Sequence, residues 1–395
     1  MAAVSTSFDA ADVLAAARAV DGLDDFGPEP FREPLRVLLA SYAAAPIHVA
    51  GAKILHGSVV RSLVNRLRAR HWFTIHAEIA AEVIEAPLVV VGMMRSGTTL
   101  IQRMLASDPR HYCTLGFETL EPAPRLGVRP DAPDPRIADA QARERMTRAH
   151  APEYFAIHPT YATQAEEEIM FLADAFLSHV PEASCDVPAY RAWIDEQDFT
   201  PAYHHLRRTL QLLQWEKKRR GQQRGRWVLK TPAHLGYLDT LFATFPDAHV
   251  IHVHRDPLAT IPSGASLNAT LWRMSASAVD AHEVGRQWIR RMCWTNRRAM
   301  AARDRMADES SRFTDVQFRQ AVADPLAQIA GIYQRVGLEL TDEARRAMVA
   351  WRSRDAAEKL DKHTYTAEQF GLTGEQIRRE FADYTARFIP PEETA

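Results

Sequence analysis

A run of hydroxyl side chains beside an arginine is the clearest group in this chain that could bind an anion. The run is Arg95, Ser96, Gly97, Thr98 and Thr99. With Gly92 it makes the pattern G-x-x-x-x-G-T-T, one letter away from the phosphate-binding pattern G-x-x-x-x-G-K-[ST]. In nucleoside triphosphatases the lysine holds the outer phosphates beside a magnesium ion, and here Thr98 stands in its place. Because the positive charge lies at Arg95, the pattern predicts a site for a phosphate-like anion without the triphosphate and metal.

A second arginine and a second hydroxyl are spaced to bind another phosphate. Arg255 closes an apolar segment, and Ser263 follows eight residues later. An arginine fork and a hydroxyl give charge-assisted hydrogen bonds of fixed direction, which suits a terminal phosphate monoester. Combined with the Arg95 loop, this pair predicts a ligand that carries two anionic groups.

The loop requires a strand before it and a helix after it. Residues 88–91 are a β-branched apolar run that suits a buried parallel strand, and the apolar spacing after Thr99 predicts a helix. Such a turn directs free N–H groups and the positive end of the helix dipole at one point. Further strands are predicted at 226–232, 249–257 and 312–317, alternating with helices, which indicates an α/β protein with a parallel sheet.

The composition limits the class of protein. The chain has 395 residues, of which 46% are apolar and 25% charged, and its formal net charge is -2. These values are typical of a globular protein and do not favour nucleic acid as a partner. No apolar run is long enough to span a bilayer, and the N-terminus lacks the basic segment of a signal peptide. Cys113, Cys185 and Cys293 form an odd set without C-x-x-C, so we expect neither disulfides nor zinc, and a cytoplasmic location.

The sequence pattern divides the chain into three parts. Residues 1–85 are predicted to be helical, and residues 86–340 are predicted to form the α/β core, with a helical insertion at about 127–225. Residues 341–395 are predicted to be helical, with a break at 362–365. A homodimer is the default expectation, because two-fold dimers are the commonest assemblies.

One long amphipathic helix is predicted at 53–83 in the first part. It carries four arginines among leucines and valines, and we expect its basic face to be solvated. These arginines are Arg61, Arg66, Arg68 and Arg70.

These motifs resemble those of the sulfotransferases that use 3′-phosphoadenosine 5′-phosphosulfate (PAPS). In that family a loop of the form R/K-S-G-T-T holds the 5′-phosphosulfate, and an arginine followed eight residues later by a serine binds the 3′-phosphate. The resemblance is closest to the large bacterial branch and extends to segments 227–234, 245–248 and 254–257. It implies a three-layer P-loop-type fold with a central parallel sheet, PAPS as donor, adenosine 3′,5′-bisphosphate (PAP) as product, and no required metal. It also implies that the donor is bound by Arg95, Ser96, Gly97, Thr98, Thr99, Arg255 and Ser263.

The resemblance also implies catalytic roles. Lys230 is similar to the family lysine that neutralises the leaving oxygen, and Arg95 adds positive charge. Glu118 resembles the carboxylate just downstream of the loop helix in the bacterial and tyrosylprotein branches, and is predicted to be the base. His234 is the rival base, although it stands four residues after Lys230, where cytosolic sulfotransferases have a histidine after two. Glu121 is a third candidate.

The acceptor and two rival functions stay open from the sequence. The inserted region contains aromatic and methionine side chains that are typical either of a pocket for a hydrophobic small molecule or a glycolipid, or of plain helix core. A P-loop kinase or nucleoside triphosphatase is the first alternative, although Thr98 in place of lysine counts against it. A non-catalytic nucleotide-binding protein is the second. The side chains expected around the pocket are Phe155, Tyr161, Met170, Phe171 and Phe176.

Overall fold

Five parallel strands form the sheet at the centre of the computed structural model, which describes residues 6–28, 30–358 and 364–391. Their order across the sheet is β2-β3-β1-β4-β5, so β1 lies in the middle between β3 and β4. Every residue of β1, β3 and β4 is buried, because both faces of the sheet are covered, and this explains their continuous apolar runs. The strands are β1 (Leu88–Val91), β2 (Tyr112–Cys113), β3 (Trp227–Lys230), β4 (His249–His254) and β5 (Phe313–Gln317).

Three helices and a 3₁₀ turn precede the sheet. The predicted helix at 53–83 ends earlier, because His76 leaves the helical conformation and a 3₁₀ turn follows at Ala77–Ala81. The expectation that its basic face is solvated is wrong for Arg68, which is buried and bonds to Asp21 (2.6 Å) and Glu121 (2.9 Å). The helices are α1 (Ala10–Asp21), α2 (Arg32–Ala44) and α3 (Val49–Ile75).

The sheet separates two hydrophobic cores. Helix α4 (Thr98–Ala106) follows β1 and covers one face of the sheet, where Leu88 and Val90 point. Val89 and Val91 point to the other face, into the larger core that the N-terminal and inserted helices share. This alternation follows from the two-residue period of a strand. The predicted three-layer α/β fold with a central parallel sheet is therefore confirmed.

The region between β2 and β3 is helical but repeatedly interrupted. Five of its helices have a proline at the first or second position, where the missing N–H costs no hydrogen bond. These prolines divide the predicted helical insertion into short helices joined by irregular segments. The helices are α5 (Gly116–Leu120), α6 (Pro135–His150), α7 (Pro152–Ile157), α8 (Ile169–Ala173), α9 (Val180–Ser184), α10 (Pro188–Ile194) and α11 (Thr200–Arg219).

The remaining helices join the last strands and close the chain. None of the helices in the described ranges is long and apolar enough to cross a membrane. Of the predicted break at 362–365, residues 362 and 363 lie outside the described residues. The helices are α12 (Leu238–Thr244), α13 (Pro257–Arg273), α14 (Ala281–Arg305), α15 (Phe318–Ala323), α16 (Pro325–Arg335), α17 (Asp342–Ala357), α18 (Gly374–Glu380) and α19 (Ala382–Phe388), with 3₁₀ turns at Pro232–Tyr237, Ala307–Arg312 and Glu368–Phe370.

Candidate active site

The loop between β1 and α4 needs both of its glycines. Gly97 has a φ of 92°, and a Cβ atom there would lie 2.6 Å from the ring of Phe318. At Gly92 a Cβ atom would lie 2.6 Å from the carbonyl oxygen of Val253 on β4. Arg95 also has a left-handed backbone, with a φ of 73°. The glycine spacing in the sequence thus reflects a loop packed closely against its neighbours.

The donor groups of this loop suit an anion. The first turn of α4 leaves backbone N–H groups without acceptors inside the helix, at the positive end of the helix dipole. The Oγ of Ser96 is buried and has no hydrogen-bond partner among the described residues. Thr98 and Thr99 line the adjacent cavity. Ser96 itself is not part of the described wall of that cavity, so the fit of a phosphosulfate group rests on Thr98, Thr99 and the N–H groups of the first helical turn.

Arg95, Arg255 and Ser263 come together beside the loop. The Nε of Arg95 donates to the Oγ of Ser263 over 3.2 Å, and its Nη1 donates to the carbonyl oxygen of Ile157 over 2.8 Å. Arg255 donates from Nη1 to the carbonyl oxygen of Arg95 over 2.8 Å, and its guanidinium lies 4.0 Å from the centre of the Phe318 ring. Burial lowers the pKa of both arginines, and the charge of Arg95 further lowers that of Arg255. An anion placed between these two cations would relieve both effects.

Lys230 lies at the end of β3, directly beside β1. Its Cα is in register with that of Val90, and its side chain is 3% exposed. Its Nζ forms an ion pair with Glu167, and its backbone N–H donates to the Oε2 of Glu168 over 2.9 Å. Burial acts to raise the pKa of Glu167, but the charges of Lys230 and His158 outweigh it, so the net pKa is lowered. This end of the site therefore holds a charged lysine and a charged carboxylate in contact.

Glu118, the base predicted from the sequence, lies in a different buried ion pair. Its Oε1 pairs with the Nζ of Lys217 on α11, and its Oε2 accepts from the backbone N–H of Leu115 over 2.8 Å. Its side chain is 4% exposed and is not part of the described wall of the cavity that contains Lys230. The structure does not bring Glu118 to the cavity surface. Glu121, the third candidate, pairs with Arg68 and Arg125 and is also absent from that wall.

His234, the rival base, is fully buried in the 3₁₀ turn after β3. Its Nδ1 is bonded to the hydroxyl of Tyr203 (2.8 Å) and its Nε2 to the Oε1 of Glu168 (2.9 Å). Both ring nitrogens are thus occupied, and the described wall of the cavity includes Pro232 and Ala233 but not His234. In this position His234 connects the end of β3 to α11 and to Glu168.

A cavity of about 700 Å³ extends from the loop to the helices α13 and α14. Tyr161 and Met170, two of the side chains predicted around the pocket, line it. The other three, Phe155, Phe171 and Phe176, lie in the hydrophobic core and not at the cavity. The apolar end of the cavity, formed by α13 and α14, was not predicted. Its large side chains are Leu267, Leu271, Trp288, Met292 and Trp294.

The three glutamates at 166–168 stand out in the sequence, but the sequence does not show which partners they bind. Their side chains diverge: Glu166 lies 3.8 Å from Arg103, Glu167 pairs with Lys230, and Glu168 bonds to His234. Three successive carboxylates in an apolar, aromatic region indicate buried ion pairs, because a buried charge requires a partner. Those partners are distant in sequence, so only the fold identifies them.

Two solved structures share the fold of this chain over almost its whole length. The chain is similar to the sulfotransferase STF1 of Mycobacterium tuberculosis, with 32% identity, a TM-score of 0.83, and coverage of 96% of this chain and 100% of that one. It is also similar to the sulfotransferase STF9 of Mycobacterium avium, with 26% identity, a TM-score of 0.87 and coverage of 98% of each chain.

Sequence comparison leads to the same family. The omega-hydroxy-beta-dihydromenaquinone-9 sulfotransferase Stf3, from Mycobacterium tuberculosis and Mycobacterium bovis, is 24% identical over 270 residues. That match covers 65% of this chain and 64% of Stf3, so it spans less than two thirds of the relative. A model of the sulfotransferase family matches residues 87–342, which include the loop, Lys230, Arg255 and Ser263. The chain therefore belongs to the sulfotransferase family.

Proposed function

We propose that this enzyme transfers the sulfuryl group of PAPS to the hydroxyl of an apolar, lipid-like acceptor by a single in-line displacement. The observation that carries the proposal is the convergence of Arg95, Arg255 and Ser263 beside the loop, with Lys230 on the neighbouring strand. A hydroxyl-rich loop at a helix start with a second arginine and serine beside it suits a nucleotide with a 5′-phosphosulfate and a 3′-phosphate. Thr98 in place of the P-loop lysine disfavours a nucleoside triphosphate.

Different residues of the site would bind the donor and stabilise the transition state. The loop from Ser96 to Thr99 would hold the 5′-phosphosulfate, and Arg255 and Ser263 would hold the 3′-phosphate. Sulfuryl transfer resembles phosphoryl transfer, with a loose transition state in which negative charge grows on the leaving oxygen. Lys230 would stabilise that charge, and because its side chain is only 3% exposed the effect is large.

The acceptor side of the cavity favours a hydrophobic molecule. Apolar side chains of α13 and α14, including Leu271, Trp288 and Met292, line its far end beside the polar side chains of Asn268, Gln287 and Arg291. The relative Stf3 is named for a menaquinone derivative, which is a lipid-like alcohol. We propose an acceptor of this class, whose reacting hydroxyl lies near Lys230 and whose apolar part lies between α13 and α14.

Calorimetric titration tests the donor part of the proposal. The wild-type chain is titrated with PAP and, in parallel, with Mg-ATP. We expect tight PAP binding and weak ATP binding, and Arg255→Ala should weaken the binding of PAP but not that of ATP. Absence of PAP binding, or preference for Mg-ATP, would contradict the proposal and favour a kinase.

Transfer itself is tested with ³⁵S-labelled PAPS and a panel of hydroxylated prenyl lipids, glycolipids and phenols. We expect the ³⁵S label to appear in the sulfate ester of a lipid-like alcohol. We also expect this transfer to depend on Lys230. Tight PAP binding without transfer to any member of the panel would instead favour a non-catalytic nucleotide-binding protein.

A further inference from the structure

The pair between Glu167 and Lys230 is the point where the donor and acceptor sides of the cavity meet. Both residues line the cavity, together with Met94 and Thr99 of the loop and its helix. Glu167 is 14% exposed at its side chain, whereas Glu118 is 4% exposed and His234 is fully buried. Glu121 is 13% exposed but is not part of the described wall of the cavity, so none of the acids and bases suggested by the sequence has the access of Glu167. Glu167 also lies in contact with the lysine assigned to the leaving oxygen.

We propose that Glu167 is the general base of the transfer, and that its ion pair with Lys230 is a resting state that the donor opens. This inference rests on the proposed function and assigns a residue to a step which that function requires. In the empty site, Glu167 neutralises a lysine that is almost completely removed from solvent. When the phosphosulfate binds in the loop, Lys230 gains a second and more highly charged anionic partner.

The change of partner prepares Glu167 to accept a proton. In the resting site the charge of Lys230 is the main effect that lowers the pKa of Glu167 against the effect of burial. When Lys230 turns to the donor, that effect weakens, and the nearby sulfuryl charge further disfavours a second anion. Both changes raise the pKa of Glu167, which makes the carboxylate a stronger base at the time it is needed.

The chemical step balances with these two residues. The acceptor hydroxyl gives its proton to a carboxylate oxygen of Glu167 as its oxygen forms a bond to sulfur. The bond between sulfur and the oxygen of the 5′-phosphate breaks, and its electron pair stays on that oxygen, beside the Nζ of Lys230. PAP and the sulfate ester leave, and Glu167 returns its proton to solvent and pairs with Lys230 again.

His158 is the other cavity residue that contacts this pair. Its Nε2 lies 4.0 Å from the Oε1 of Glu167, and its Nδ1 is buried and has no hydrogen-bond partner within the described ranges. Its ring stacks on Tyr154. In the proposed step His158 positions the carboxylate, and its replacement provides a comparison for the variant of Glu167.

The first experiment measures how PAP stabilises the folded protein. Removal of the carboxylate in Glu167→Gln leaves the charge of Lys230 uncompensated until an anion binds. We therefore expect PAP to bind several-fold more tightly than in the wild type, and so to raise the melting temperature by more than it raises that of the wild type. Lys230→Met should weaken PAP binding about 10-fold or more. A smaller stabilisation by PAP in Glu167→Gln than in the wild type would overturn the resting-state pair.

The second experiment separates a base from a structural residue. Transfer from PAPS to farnesol, an aliphatic alcohol, requires removal of a proton, and should fall about 100-fold or more in Glu167→Gln. The reverse transfer from 4-nitrophenyl sulfate to PAP releases a stable phenolate that needs no proton, and should change by only a few fold. An equal loss in both reactions would show a structural role and overturn the assignment.

Matched variants keep failure of the two proposals distinct. Glu118→Gln also removes the carboxylate of a buried glutamate–lysine pair, and Glu33→Gln removes an exposed carboxylate paired with Arg36. If Glu118→Gln or His158→Gln abolishes farnesol transfer while Glu167→Gln retains it, Glu167 is not the base. If the wild type does not bind PAP, the proposed function itself fails.

Discussion

Arg255 donates a hydrogen bond of 2.8 Å to the carbonyl oxygen of Arg95, which links the end of β4 to the left-handed residue of the loop. The two residues are 160 positions apart in the sequence. They meet because β1 and β4 are neighbouring parallel strands, so both strands end at the same edge of the sheet. Arg255 thus supplies charge to the site and also stabilises the conformation of the loop.

The two roles of Arg255 can be separated by substitution. Arg255→Ala removes both the charge and the bond to Arg95, and should weaken PAP binding about 10- to 100-fold. Arg255→Lys keeps a charge but lacks the planar fork, so we expect an intermediate affinity. Calorimetric titration with PAP measures both values. If Arg255→Lys binds PAP as tightly as the wild type, the bond to the loop is unimportant.

Gly97 is expected to tolerate no side chain. In Gly97→Ala the methyl group meets the Phe318 ring and a left-handed backbone costs about 1–2 kcal/mol, so both the melting temperature and PAP affinity should fall. Gly331→Ala is the control, because Gly331 lies in α16 with no atom within 4 Å of an added Cβ. That variant should be neutral or more stable by up to about 1 kcal/mol. Equal effects of the two substitutions would contradict the steric explanation.

His234 should affect stability and not the pH dependence of transfer. His234→Phe leaves the Tyr203 hydroxyl and the Glu168 carboxylate without their partner, which should cost about 1–3 kcal/mol of unfolding free energy. Because the ring does not face the cavity, the pH–rate profile should keep its shape. Loss of the acid limb of that profile, measured with the purified variant, would restore His234 as the base.

Glu182 gives a pH-dependent prediction. It accepts from Nδ1 of His179 (2.9 Å) and Nε2 of Gln287 (3.0 Å) and pairs with Arg291 (2.6 Å). Burial alone would raise its pKa, but the bond from His179 and the charges of His179 and Arg291 lower it from 4.5 to about 2. A lowered pKa means that its stabilisation is present above about pH 4.5 and is lost as the pH falls towards 2.

The variant Glu182→Gln tests this dependence of stability on pH. It should cost about 1–3 kcal/mol of unfolding free energy at pH 7, because Arg291 loses one of its two buried carboxylate partners and keeps only Asp195. The difference from the wild type should shrink as the pH falls below 4.5. Urea unfolding at a series of pH values measures it, with Glu33→Gln as the exposed control. A difference that is constant with pH would show that the carboxylate charge is not responsible.

The loop and the sheet could be predicted because their signals are local. The β-branched run 88–91, the two glycines and the hydroxyls between them specify a strand, a turn and a helix start by their own spacing. Arg255 and Ser263 could be placed beside this loop because the carboxyl ends of parallel strands meet at one edge. Helix lengths in the insertion were less predictable, since prolines there begin new helices within one continuous helical pattern.

The sequence by itself determined the fold class, the loop between β1 and α4 and the family, because each depends on residue types at short, regular spacing. Only the tertiary structure decided that Glu167, and not Glu118, lines the cavity. Glu118 and Glu167 both pair with a lysine, but those lysines are 99 and 63 positions away, and nothing local distinguishes the two pairs. Glu118 and Lys217 of α11 are packed away from the cavity, whereas Glu167 and Lys230 at the end of β3 line it. Ion pairs between distant segments are properties of that packing, and the spacing of residues along the chain does not encode them.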